Sequence, residues 1–198
     1  MAASERHEEQ RTAWRAEAAR TDAHRVVFVD ESSTHTSLTR LYGWAPHDQR
    51  ATGAVPRNHG KNLTFVAALT WEGMQAPWAI EGAMDTAAFE IYVVRVLVPT
   101  LRPGQIVVLD NLSVHKAARI EDAIHDAQCT LLFLPAYSPD LNPIELAFSK
   151  LKAVLRQLGS RTREALLTAL AVALDLITSA NASAWFQHAG YLLPDPSS

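Results

Sequence analysis

Apolar residues fall along this chain in two textures, short continuous runs and stripes at helical spacing. The runs, at residues 26–29, 106–109 and 131–134, are bounded by polar or turn-forming residues and read as buried strands. Between the first two lie three stretches of β character, 38–45, 63–71 and 76–82. Pro46, Gly53, Pro56, Gly60 and Gly73 punctuate them into an expected antiparallel meander. The helical stripes begin with Phe89, Tyr92, Val93, Val96 and Leu97, capped by Asp85 or Thr86 and stopped by Pro99 and the Pro103-Gly104 turn. Ile120, Ala123, Ile124 and Ala127 form a second stripe. Ile144, Phe148, Leu151, Leu155 and Leu158 form a third, and Leu166, Leu170, Ala173, Leu174 and Ile177 mark an amphipathic helix over 162–177. A last short segment carries Trp185, Phe186 and Tyr191, and the tail from Pro194 is loose. Residues 1–24 are rich in Ala, Glu and Arg, with Arg11 and Arg15 one turn apart. They predict a solvated helix or frayed leader rather than part of a core.

The predicted order is therefore three or four strands, helix, strand, helix, strand, helix. That is a ribonuclease-H-like order, an α/β fold with a mixed five-stranded sheet flanked by helices. With 198 residues, one domain can bury roughly 70% of its unfolded surface without disulfides. The expected boundaries are a charged leader over 1–24, a ribonuclease-H-like domain over 25–193 and a tail over 194–198. Cys129 lies in an apolar stretch and is read as a small buried hydrophobe in a reducing cytosol. The N-terminus is charged, and no uncharged apolar run approaches the roughly 18 residues needed to span a bilayer, so a soluble, cytoplasmic protein is expected, with no membrane partner. The 18 Lys and Arg against 21 Asp and Glu give a formal net charge of −3, which argues mildly against a stand-alone nucleic-acid binder.

Charge placement changes that picture. The first apolar run ends on Asp30 and Glu31, and the run at 106–109 ends on Asp110, followed by Asn111 and His115. The third leads into LPAYSPDLNPIELAFSKLK, where prolines 135, 139 and 143 break regular structure before a helix. Asn142 is a good N-cap, Pro143 suits the first helical position, and Glu145 falls third, where a Glu can reach back to the cap residue's backbone. Glu145 is then either a capping partner or a functional carboxylate. If the first and fourth strands are neighbours, Asp30, Asp110 and Glu145 converge. Three close carboxylates repel without a cation, so the arrangement makes sense chiefly as a hard-metal site, with Mg²⁺ the natural ion. Two such ions can activate an attacking hydroxyl and stabilise a leaving oxygen in displacement at phosphorus. Lys150, Lys152, Arg156, Arg161 and Arg163 follow the site closely. The RNHGK loop puts Arg57 and Lys61 where either a phosphate contact or a plain polar turn would serve.

Asp30-Glu31-Ser32, Asp110-Asn111 with His115, and above all the LPAYSPDLNPIELAFSKLK stretch resemble the catalytic core of the DDE transposases of the Tc-mariner superfamily, in its bacterial insertion-sequence branch. The resemblance runs from about Arg25 through Tyr191. It implies that Asp30, Asp110 and Glu145 are the catalytic, metal-binding triad, holding two Mg²⁺ for which Mn²⁺ substitutes. It further implies cutting and rejoining of DNA at transposon ends, with transposon-end DNA and target DNA as partners and a homodimer on DNA. Asn111 and His115 match the pattern after the second Asp, where they either orient that Asp or contact DNA. Arg57, Lys61, Lys150, Lys152 and Arg156 are the expected DNA contacts. Such proteins usually carry N-terminal helix-turn-helix modules that read the transposon ends, and nothing before Arg25 is long or basic enough to be one. A recognition half supplied in trans or by frameshift fusion is therefore expected, with an idle remnant acting as an interfering protein as the alternative.

Overall fold

A computed structural model describes residues 7–40, 42–53, 62–112, 115 and 117–192. Helix α1, Glu8–Ala18, precedes strand β1, Val26–Thr34, which forms the centre of a five-stranded sheet. On one side β1 pairs antiparallel with β2, Leu63–Thr70, and β2 pairs antiparallel with β3, Gly73–Glu81. On the other side it pairs parallel with β4, Ile106–Leu109, which pairs parallel with β5, Thr130–Phe133. The order is β3-β2-β1-β4-β5.

The continuous apolar runs of β1 and β4 make sense because both faces of these strands are covered. Val27, Val29, Val107 and Leu109 point to one face. There α2, Thr86–Tyr92, and α3, Ala118–Asp126, bring Phe89, Tyr92, Ile120 and Ile124. Val26, Phe28 and Val108 point to the other, where α4, Ile144–Leu158, α5, Arg163–Asp175, and α6, Ser179–His188, supply Ile144, Phe148, Leu151 and Phe186. Local signals set the helix ends. Asp85 and Thr162 accept hydrogen bonds from the third residue beyond them, Thr178 and Asn181 form a reciprocal capping box, and Gly159 ends α4 with a left-handed φ of 60°.

Four sequence expectations differ from the structure. Strand β1 does not stop at Asp30 but runs on to Thr34, because β2 pairs with it through Thr34↔Leu63. The predicted strand at 38–45 does not form: its described residues have no regular structure, and Trp44 is fully exposed. Both edges of β2, the next strand in the chain, are already taken by β1 and β3, so this stretch cannot pair beside it. The run at 131–134 is not a buried strand either. β5 is an edge strand whose residues alternate between exposed and half-buried, because only β4 pairs with it. Finally, α1 is not solvated all round. Arg11 is 0% exposed, Ala18 and Ala23 join the core, and Trp14 packs against it while donating to the Tyr191 hydroxyl at 2.7 Å. Arg57 and Lys61 lie outside the described residues.

Candidate active site

The parallel register of β1 and β4 pairs Phe28 with Val108, so two residues further along Asp30 and Asp110 lie at the same level of neighbouring chains. Beyond β5, the chain passes Leu134 and Pro135 and makes a 3-10 turn at Pro139–Leu141, which delivers the start of α4. Glu145 sits in the first turn of that helix. Asp30, Asp110 and Glu145 line one cavity of about 330 Å³, with Asn111, Leu112, Ala136, Tyr137 and Asn142 among its walls.

Asn142 does not cap α4, as its position predicts. Pro143 stands at the N-cap and no side chain caps the helix. The Asn142 side chain turns inward instead, and its Nδ2 donates to Asp30 Oδ2 at 2.9 Å. Asp30 Oδ1 accepts from the Glu31 backbone N–H at 2.8 Å. Glu145 makes no capping bond, so the capping-box reading of this residue has no support at the helix start.

Asp30 is 8% exposed. Burial, then the charge of Asp110, and further Glu31 and Glu145, push its carboxyl up to about 7, against the lowering effect of the Glu31 N–H. Behind Asp110 lies His115, fully buried against the ring of Phe89 at 4.2 Å between centroids. Its Nε2 is 3.1 Å from Glu31 Oε2, and its Nδ1 stands 2.6 Å from Asp110 Oδ1 as a close ion contact. Burial opposes the imidazolium, but the bonds to Asp110 and Glu31 and their charges outweigh it and hold His115 up to about 9. Asp110 Oδ1 also accepts from the Leu112 N–H at 3.1 Å.

Among the described residues, no three His, Cys, Asp or Glu side chains stand close enough to form a ready-made cage for an ion. The donor set nonetheless fits a hard divalent cation. Its members are oxygens, burial and the neighbouring carboxylates hold Asp30 back from ionising, and Asn142 Oδ1 is buried with no hydrogen-bond partner beside the same cavity. Magnesium takes only one or two carboxylates per ion and completes its shell with water and phosphate oxygens, so a closed cage is not required.

The basic residues divide. Lys150 points away to the α5–α6 junction, where its ammonium donates to Leu176 O and Asn181 Oδ1, both at 2.6 Å. Lys152 and Arg156 continue the face of α4 that begins at Glu145, and both are half-buried. Arg161 ties down the segment after β1 through Thr36 O and Leu38 O, and Arg163 pairs with Glu81 at 2.8 Å. Sequence reasoning did not find the inward role of Asn142, the contact of Glu31 with His115, or the burial of Arg11. The first two lie inside stretches already singled out. For Arg11 the signal was Trp14, a large aromatic in an otherwise polar helix, which has no reason to be there unless that helix docks.

A family model described as DDE superfamily endonuclease matches residues 25–167. A search of curated proteins finds no match. Among solved structures, the chain is similar to that of the pre-cleavage Mos1 transpososome, with a TM-score of 0.77 at 17% identity over 94% of this chain and 59% of that one. The Mos1 mariner paired end complex with Mn gives 0.74 at 18% identity, over 94% and 59%. The catalytic domain of Mos1 mariner transposase gives 0.69 at 15% identity, over 92% and 86%. The chain thus spans about 59% of the length of the Mos1 chains in those complexes, and likeness at such identity speaks for the fold, which is ribonuclease-H-like. The family match is of another kind: it takes in most of the chain together with Asp30, Asp110 and Glu145, and the chain belongs to the DDE superfamily endonucleases.

Proposed function

We propose that this chain is the catalytic domain of a Tc-mariner-type transposase of the bacterial insertion-sequence branch, which cuts DNA at transposon ends and joins the cut strand to target DNA. It works in the cytoplasm on nucleoid DNA, as a dimer, with sequence recognition of the ends supplied by protein outside the described residues. The observation that carries this reading is the delivery of Asp30, Asp110 and Glu145 to one cavity by three separate elements within the family match. Support for metal and DNA comes from the Mos1 structures, which include a complex with Mn and a strand transfer complex.

Asp30, Asp110 and Glu145 would hold divalent ions. Mg²⁺ or Mn²⁺ there would polarise the scissile phosphate and lower the pKa of the attacking water or hydroxyl. Asn142 fixes the rotamer of Asp30 by donating to Oδ2, which leaves that carboxylate aimed into the cavity. His115 steadies Asp110 and Glu31 from behind and offsets part of the negative charge gathered there. Lys152 and Arg156 extend from the site along α4 and meet the phosphate backbone, a contact that carries no sequence information. Calorimetric titration of the metal-free protein with Mn²⁺ tests the assignment. Binding is expected in the wild type and absent in an Asp30→Asn/Asp110→Asn double variant; equal binding by both would remove the triad from the site.

A further inference from the structure

The turn that carries Asn142 into the cavity is gripped from outside by α1. The guanidinium of Arg11 forks onto Asp140, Nη1 to Oδ1 at 3.0 Å and Nη2 to Oδ2 at 2.6 Å, across 129 residues of sequence. Arg11 is fully buried while Asp140 is about half exposed, at 51%. Arg15 adds a looser contact to the same carboxylate at 3.4 Å. A second tie runs alongside the first: Trp14 Nε1 donates to the Tyr191 hydroxyl, which donates to the Leu141 carbonyl at 3.0 Å. Two consecutive residues of the 3-10 turn, Asp140 and Leu141, are therefore held by α1, directly or through Tyr191. The next residue is Asn142, whose Nδ2 holds Asp30.

The loop leading into the turn needs holding. Tyr137 has a left-handed φ of 54° and a side chain left 58% exposed, a conformation that costs free energy in a bulky residue and persists only where the surroundings over-determine it. Arg11 is also a poor choice for solubility alone, since a fully buried guanidinium is retained only with a well-made partner.

We infer that Arg11 is a positioning residue for the carboxylate site: by fixing Asp140 it sets the Pro139–Leu141 turn, and through that turn the Asn142 side chain that aims Asp30. This rests on the metal-site reading above, but its first consequence does not depend on metal. If Arg11 holds the turn, the hydrogen bonds that close it, Leu141 N to Ser138 O and Asn142 N to Pro139 O, open more often when the fork is lost.

The test uses the full chain and Arg11→Gln, Arg11→Lys, Asp140→Asn and Arg15→Gln variants. Amide hydrogen exchange is read first, without metal. In Arg11→Gln, exchange at Leu141 and Asn142 is expected to rise by about tenfold or more while amides of β1 and β2 keep wild-type protection. Arg11→Lys, which cannot form the fork, behaves like Arg11→Gln, and Arg15→Gln stays within about twofold of wild type. Mn²⁺ affinity is read second, and Arg11→Gln is expected to weaken it by about tenfold, the scale of groups that orient metal ligands. If Arg11→Gln does not fold, Asp140→Asn carries the same two readouts, because its side chain is half exposed. Unchanged exchange at Leu141 and Asn142 in a folded variant overturns the brace. Faster exchange with unchanged Mn²⁺ affinity overturns the positioning role and leaves α1 a structural helix. A wild type that does not bind Mn²⁺ counts against the metal reading instead, and the exchange result stands apart from it.

Discussion

Glu145 separates chemistry from architecture more cleanly than any other residue here. It is exposed, makes no capping bond and faces the cavity, so Glu145→Gln removes a charge and little else. Stability should change by less than about 1 kcal/mol, the scale of a cap. Metal-dependent nicking should fall on the order of 1,000-fold, equivalent to about 4 kcal/mol of transition-state stabilisation. Nicking at the wild-type rate, with melting unchanged, would take Glu145 out of the mechanism. Asp30 and His115 make a second prediction, about pH. An acid raised from 3.8 to about 7 stabilises the fold when protonated, an effect complete below 3.8 and lost as pH rises through 7. A histidine raised from 6.5 to about 9 stabilises the fold in full below 6.5 and loses the effect as pH rises through 9. Both act in the same direction, so the melting temperature of the EDTA-treated protein should fall from about pH 5.5 to about pH 9. Mn²⁺ should raise it more at the higher pH, where the carboxylates are charged, and Asp30→Asn should flatten the decline below about pH 7.

At the scale of elements, α4 carries two lysines with opposite duties. Lys150 bonds a carbonyl near the end of α5 and the capping Asn181 of α6, and so joins two helices. Lys152 lies on the helix face that begins at Glu145. Lys150→Ala should cost about 1–2 kcal/mol in denaturant unfolding and leave DNA affinity as it was. Lys152→Ala should leave stability within about 0.5 kcal/mol and lower the salt dependence of DNA binding by about one unit of slope. The reverse pattern would exchange their roles. Periodicity in the sequence marks both as polar positions on one helix but does not say which neighbour each will meet, because helix-to-helix docking is decided by tertiary packing. The same limit explains Asn142. Its intrinsic preference for an N-cap is real, yet the buried carboxylate of Asp30 is the more demanding partner and takes the amide.

For the whole molecule, what the sequence made legible is what depends on local pattern: the five strands of the sheet, the covering helices α2 to α5, the acids at neighbouring strand positions, and the turn before α4. What it hid depends on competition for partners. The stretch at 38–45 has β character but is excluded from β2, whose two edges β1 and β3 occupy, and the apolar run at 131–134 lies at the sheet's rim because β4 offers only one side. The docking of α1 belongs to the same class, since an Ala-rich, charged helix shows its docking face only when the surface it meets has been built. That surface is distant in the chain. Trp14 meets Tyr191 across 177 positions and Arg11 meets Asp140 across 129. During synthesis at about 5–20 residues per second, α1 therefore leaves the ribosome many seconds before the residues it clasps exist. The carboxylate turn cannot receive its brace until Asp140 and Tyr191 have been made, so order in that turn comes after the strands that bring Asp30 and Asp110 together have been synthesised.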